Sequence, residues 1–120
     1  MTYSPDVPVV ALVNDMIFAA RIRGAAQAAG CGVRTTSKAT DVLAAAAAAR
    51  LILVDLDATR ADPVGLIRIL KADAALEARV IAFVSHVNAD AIAGARAAGA
   101  DQVMARSAFV ARLPEMFTGL

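Results

Sequence analysis

A short apolar run that ends in a carboxylate constrains the fold of this chain more than any other feature. Leu51–Val54 are four aliphatic residues in a row, Asp55 follows at once, and Asp57 comes two positions later. An apolar run this short, preceded by a helical pattern, predicts a β-strand buried on both faces. Because a carboxylate inside such a sheet would be costly to desolvate, Asp55 is expected where the strand emerges, at the carboxyl edge of the sheet. In open α/β sheets, ligands and reactive groups gather at that edge.

The rest of the chain alternates short apolar runs with segments of helical pattern. The predicted strands are Val9–Val13, Val33–Thr36, Leu51–Asp55, Val80–Val84 and Gln102–Ala105. Each is followed by a predicted helix, and this alternation indicates a parallel sheet with helices on both faces. The polar, β-branched second run is typical of an edge strand and favours the strand order 2-1-3-4-5. In that order a crevice opens between the carboxyl ends of the first and third strands.

Residues at the ends of the helical segments predict where each helix begins or stops. The first helix covers 16–29, with Ile17 and Ile22 near its apolar face, and the second runs through the alanine block 44–49. The predicted starts are Ser37 or Thr40 for the second helix, Asp62-Pro63 for the third, Asn88 or Asp90 for the fourth, and Ser107 for the fifth. Pro114 is expected to break or kink the last helix.

Composition narrows the class of protein. Hydrophobic residues make up 59% of the 120 residues, the formal net charge is +1, and there is one cysteine. We therefore expect a single domain spanning 1–120, without an internal disulfide. No basic block predicts a nucleic-acid surface, and no apolar run is long enough to predict a membrane span or a signal peptide. The expected location is the cytoplasm.

Polar side chains follow several of the predicted strands. Since parallel strands bring their carboxyl ends to one edge, these residues should converge there. Clustered carboxylates need a cation, and oxygen-only ligands suit a hard divalent ion such as Mg²⁺. Asp55 would then be placed as a carboxylate nucleophile for a phosphoryl group. The converging residues are Asn14, Asp15, Asp55, Asp57, Ser85 and Arg106.

These motifs, together with the run Ala97–Asp101, resemble the receiver domains of bacterial two-component response regulators, and the resemblance covers Val9 to about Phe117. It implies a flavodoxin-like (CheY-like) three-layer fold. It also implies that Asp55 accepts a phosphoryl group from a sensor histidine kinase or phosphotransfer protein. By the same resemblance Asp15 and Asp55 would bind Mg²⁺, with Asp57 contributing its backbone carbonyl. Ser85 and Arg106 would contact the phosphoryl group.

The chain also departs from the pattern of that family. Asn14 stands where the family usually has a second acid, which removes one carboxylate from the metal site. Arg106 replaces a lysine, and arginine is planar and bulkier than the compact ammonium it replaces. Ser107 replaces a proline, Ala58-Thr59 replaces a Met-Pro pair, and Val103 replaces an aromatic residue.

Each candidate residue therefore has two interpretations. Asp55 is either a phosphoacceptor or a strand-end carboxylate paired with Arg106. Asp15 is either a metal ligand or a helix N-cap. Asp57 is favoured as a turn residue whose side chain faces solvent, and Ser85 either belongs to the site or caps a helix. Arg106 either clamps a phosphate or locks Asp55 in a permanent ion pair.

Three hypotheses for function follow. The first is a phosphorylation-dependent receiver, regulatory rather than enzymatic beyond Mg²⁺-dependent self-phosphorylation and slow dephosphorylation. The second is a degenerate receiver that acts as a phosphorylation-independent interaction module. The third, a small α/β enzyme or ligand-binding domain, ranks last because no glycine-rich loop follows the first strand. In the first two, a downstream protein or a second copy would bind the face made by the fourth helix, fifth strand and fifth helix.

Overall fold

The computed structural model describes residues 7–85 and 88–120. Five parallel strands form one sheet in the order β2-β1-β3-β4-β5, as the sequence predicts. The one histidine of the chain, His86, which follows the fourth strand in the sequence, lies outside the described residues. The strands are β1 (Val9–Leu12), β2 (Val33–Thr36), β3 (Leu51–Asp55), β4 (Arg79–Val84) and β5 (Gln102–Ala105). The helices are α1 (Met16–Ala28), α2 (Ala39–Ala45), α3 (Pro63–Ala72), α4 (Ala89–Ala97) and α5 (Arg106–Phe117), with 3₁₀ turns at Ala46–Ala48 and Thr59–Ala61.

Alternation of side chains along the strands gives the sheet two cores, one on each face. In β1, for example, Val9 and Ala11 point to one face, where α1 and α5 pack, while Val10 and Leu12 point to the other, where α2, α3 and α4 pack. All five residues of β3 are buried, which agrees with its position at the centre of the sheet. The strand β2 is half-buried throughout, as expected of an edge.

The buried face of α1 agrees with the prediction at Ile22 but not at Ile17. Phe18, Ala19, Ile22 and Ala26 are buried, whereas Ile17 is 82% exposed. Phe18 takes the inward position because its ring packs against aromatic rings from β4 and α5. In a helix rich in alanine, one large aromatic side chain decides which face is buried.

Two helix starts are capped as predicted. The Asp62 side chain accepts a hydrogen bond from the Gly65 N–H at the start of α3, and that of Asn88 accepts one from the Ala91 N–H at the start of α4. Asp62 has a φ of 50°, a left-handed conformation that aspartate tolerates better than most residues.

The starts of α2 and α5 differ from the prediction. The N-cap of α2 is Lys38, without a side-chain cap, so neither Ser37 nor Thr40 caps it. The helix α5 begins at Arg106, so Ser107 lies inside the first turn and does not cap it. Of the break or kink predicted at Pro114, the break does not occur, because α5 continues through it to Phe117. Among the described residues, no helix has both the length and the apolar character to cross a membrane.

Candidate functional site

Asp55 occupies the last position of β3, where the sheet meets solvent. It is 1% exposed and is the only buried polar or charged residue in the described part of the chain. Its Oδ1 accepts a hydrogen bond from the Asp57 N–H at 2.9 Å. Its Oδ2 faces an Nη of Arg106 at 3.4 Å. Burial raises the pKa of Asp55 above its ordinary value, and the Asp57 N–H and the Arg106 charge only partly oppose that effect.

Asp15 follows β1 and caps α1. Its Oδ1 accepts hydrogen bonds from the N–H groups of Ile17 at 2.9 Å and Phe18 at 3.1 Å, so the N-cap interpretation is correct. The Phe18 N–H is the main reason that the pKa of Asp15 lies below its ordinary value. The other oxygen, Oδ2, lies 3.4 Å from an Nη of Arg106. Asp15 therefore serves the helix and the site with different oxygens.

Arg106 brings the predicted carboxylates together. Its guanidinium nitrogens lie 3.4 Å from Asp15, 3.4 Å from Asp55 and 3.9 Å from Asp57. Its Cζ also lies 4.2 Å from the centroid of the Phe18 ring, which is a cation–π contact. The Arg106 Nε is buried and has no hydrogen-bond partner among the described residues. The geometry of this site is thus organised around the guanidinium.

Asp57 and Ser85 are joined directly. The Asp57 Oδ2 accepts a hydrogen bond from the Ser85 N–H at 2.8 Å, which ties the loop after β3 to the loop after β4. Asp57 thus lies in a turn with a partly exposed side chain, as predicted, but that side chain also binds the Ser85 loop instead of facing solvent alone. Ser85 is exposed and, with Asp15 and Arg106, lines a groove of about 600 Å³. Asn14 is exposed and lines a different depression, between α1 and β2.

The arrangement does not fit a resident Mg²⁺ ion. Residues 7–85 and 88–120 contain no group of three or more His, Cys, Asp or Glu side chains that could hold a metal. The oxygens of Asp15, Asp55 and Asp57 that approach one another all lie within 4 Å of the Arg106 guanidinium. The metal-ligand roles predicted for these residues remain predictions.

Phe18 is the residue of this site that sequence reasoning missed. Its ring supports the Arg106 guanidinium on one side and contacts the rings of Phe83 and Phe109, with centroids 5.2 and 5.9 Å away. A signal was present, since phenylalanines occur in the first helical segment, the fourth strand and the last helix, all next to candidate site residues.

Comparisons with known proteins connect this geometry to one kind of fold. No protein-family model matches the sequence, and no curated protein matches it. Among solved structures, a response regulator from Hahella chejuensis has a TM-score of 0.77 at 19% identity, over 92% of this chain and 91% of its own. The receiver domain of NtrX from Brucella abortus has a TM-score of 0.76 at 22% identity, over 90% and 92%. The response regulator RPA3017 of R. palustris has a TM-score of 0.74 at 16% identity, over 91% and 90%.

These neighbours are response regulators and receiver domains, so the chain has the receiver-domain fold. The predicted flavodoxin-like (CheY-like) architecture is confirmed by the strand order and by these full-length matches. At such identities the similarity concerns the fold, and function has to be argued from the site.

Proposed function

We propose that this chain is a phosphorelay receiver domain in which Asp55 accepts a phosphoryl group from a histidine kinase or phosphotransfer protein and thereby changes its contacts with a partner. The observation that carries the proposal is the position of Asp55: a nearly fully buried carboxylate at the carboxyl end of the central strand, with a guanidinium beside it. A buried charge is costly to the fold, and perturbed carboxylates of this kind concentrate at functional sites.

The proposed transfer uses groups that are already in place. A carboxylate oxygen of Asp55 attacks phosphorus, the P–N bond to the donor histidine breaks, and its electron pair stays on the imidazole. The product is an aspartyl phosphate. The Arg106 guanidinium, 3.4 Å from Asp55, can turn from the carboxylate to the new phosphoryl oxygens, for which its planar fork is suited. The Ser85 loop is held beside the site by Asp57 and would respond to the added charge.

Changed contacts would be read on the α4-β5-α5 face. Val103 and Met104 of β5 are half-buried, so this edge of the sheet offers apolar surface to a downstream protein or to a second copy of the chain. A domain that signals in this way is regulatory rather than enzymatic. The proposal assigns no role to Mg²⁺, because Asp15 and Asp55 are each paired with Arg106 at 3.4 Å; the experiment below is therefore run with and without the ion.

A second candidate function is a phosphorylation-independent interaction module. Two observations favour it: the Arg106 guanidinium contacts all three carboxylates at once, and the Asp55 side chain is only 2% exposed. In that case the ion pairs hold one permanent conformation, and the domain acts through partner binding alone.

Intact-mass measurement separates the two candidates. The protein is incubated with acetyl phosphate, with and without Mg²⁺, beside the variants Asp55→Asn and Asp73→Asn. Asp73 is an exposed carboxylate at the end of α3, which makes its variant a matched control. Phosphoryl acceptance predicts a gain of about 80 Da in the wild type and in Asp73→Asn but not in Asp55→Asn. Absence of the gain in every sample, also with a phosphorylated histidine protein as donor, would favour the interaction module.

A further inference from the structure

We infer that the guanidinium of Arg106 is the resident cation of this site and that it excludes divalent metal ions from Asp15, Asp55 and Asp57. The inference concerns how this cluster of charges is neutralised, and it holds whether or not Asp55 accepts a phosphoryl group. It also reverses the expectation of Mg²⁺ that the pattern of acids suggests.

Asp15 and Asp55 have both carboxylate oxygens engaged, and Asp57 has its Oδ2 engaged. Asp15 and Asp55 both give Oδ1 to backbone N–H groups and turn Oδ2 toward Arg106. The Asp57 Oδ2 that lies 3.9 Å from Arg106 also accepts the Ser85 N–H. The Oδ2 atoms of all three carboxylates therefore approach the guanidinium. A metal ion would have to take these same oxygens.

The guanidinium is also held by an aromatic ring. Its Cζ lies 4.2 Å from the Phe18 ring centroid, and Phe18 is fixed in turn by the rings of Phe83 and Phe109. A cation–π contact is strengthened where water is excluded, and Phe18 is buried. Displacing Arg106 would break contacts with the carboxylates and with the ring together.

A small divalent ion cannot share the space with the guanidinium. Mg²⁺ requires oxygen ligands in near-octahedral geometry at about 2.0–2.1 Å, and it sheds water reluctantly. With a fixed positive charge less than 4 Å from the oxygens of all three carboxylates, a second cation would be repelled in a half-buried site. The guanidinium supplies one positive charge to the three carboxylates without the octahedral shell of oxygen ligands that a metal ion demands.

Paramagnetic line broadening tests the inference directly. Mn²⁺ replaces Mg²⁺ as the probe and is titrated to millimolar concentration into ¹⁵N-labelled protein, while amide signals of residues 14–18 and 55–58 are followed. The test variant is Arg106→Gln, which frees the three carboxylates. The control is Arg21→Gln. Arg21 is exposed and lines the groove that contains Asp15, Ser85 and Arg106, but among the described residues it forms no ion pair with the three carboxylates.

We expect no selective broadening in the wild type or in Arg21→Gln. Selective broadening should appear in Arg106→Gln, with an apparent affinity at least about tenfold tighter than that of the wild type. If that variant lacks a dispersed spectrum, Arg106→Met takes its place with the same expected gain, since it also removes the positive charge and keeps an unbranched side chain that can pack on Phe18. Selective broadening in the wild type, or no gain in the folded Arg106 variant, would overturn the inference. Because metal binding is read without any phosphoryl donor, this result is independent of the mass measurement.

Discussion

Replacing Asp55 by asparagine should stabilise this protein. The amide keeps the shape of the carboxylate but offers one acceptor oxygen instead of two, which costs on the order of 1 kcal/mol. Against that loss, the variant removes a charge that is 1% exposed and is repelled by Asp57 and Asp15. The effective penalty for a buried ion is several kcal/mol, and Arg106 offsets only part of it at 3.4 Å. We expect a net gain of about 1–2 kcal/mol in the free energy of unfolding at pH 7.

The gain should depend on pH with a defined sign. The pKa of Asp55 in the folded state is raised above the ordinary value of 3.8, chiefly by burial. The protonated carboxyl therefore favours the fold below 3.8, and this contribution is lost as the pH rises through the raised folded value. The stability gap between Asp55→Asn and wild type should be widest at neutral pH and should close as the solution is acidified toward 3.8.

Urea unfolding followed by far-ultraviolet circular dichroism, repeated across this pH range, measures the gap. Thermal scans should show a Tm higher by about 4–8 °C in the variant at pH 7. The exposed Asp73→Asn variant is the control and should stay within about 0.5 kcal/mol of wild type. A less stable Asp55→Asn protein, or a gap that does not change with pH, would refute the reasoning that burial dominates at Asp55.

Two further predictions concern the scaffold. Asp101→Asn should destabilise the fold by about 1 kcal/mol, after allowance for the partial exposure of Asp101. Burial raises the pKa of Asp101, but its bonds to the Val80 N–H and to Lys71 outweigh that effect, so the pKa lies below its ordinary value. Its cost should therefore be present at neutral pH and fade as pH falls through the folded pKa; a cost that grew in acid would contradict this. Gly99→Ala should cost about 1–3 kcal/mol, since Gly99 has a φ of +104° and an added Cβ would lie 3.1 Å from the Lys71 Cβ. Gly24→Ala, in α1 with open space around it, should instead stabilise by about 0.5–1 kcal/mol, and equal effects in urea unfolding of the two variants would disprove the argument from φ.

The sheet and the meeting of Asp15, Asp55 and Arg106 could be predicted from the sequence. The first, third and fourth strands are short apolar runs followed by a polar residue, and strict alternation of strands with helices leaves few topologies. Once the strands are parallel, residues far apart in the chain must lie at one edge. Arg106 and Asp15 are in contact across 91 positions for this reason.

Other features depend on tertiary contacts that local patterns do not encode. The burial of Phe18 rather than Ile17 depends on the rings of Phe83 and Phe109. The bond from the Ser85 N–H to Asp57 joins two loops 28 positions apart, and no periodicity marks it. That Arg106 contacts Asp15, Asp55 and Asp57 at once follows only from the distances in the folded protein.

The phenylalanine rings that contact Arg106 and one another connect the site to the core of the protein. Phe18, Phe83 and Phe109 come from α1, β4 and α5, and the last two rings lie nearly parallel with centroids 4.1 Å apart. Aromatic rings are rigid, and in a close-packed core the displacement of one ring requires its neighbours to move. A tilt of the Phe18 ring has to be accommodated by Phe83 of β4 and Phe109 of α5, so the position of the Arg106 guanidinium is coupled to the packing of α5, its own helix, against the sheet.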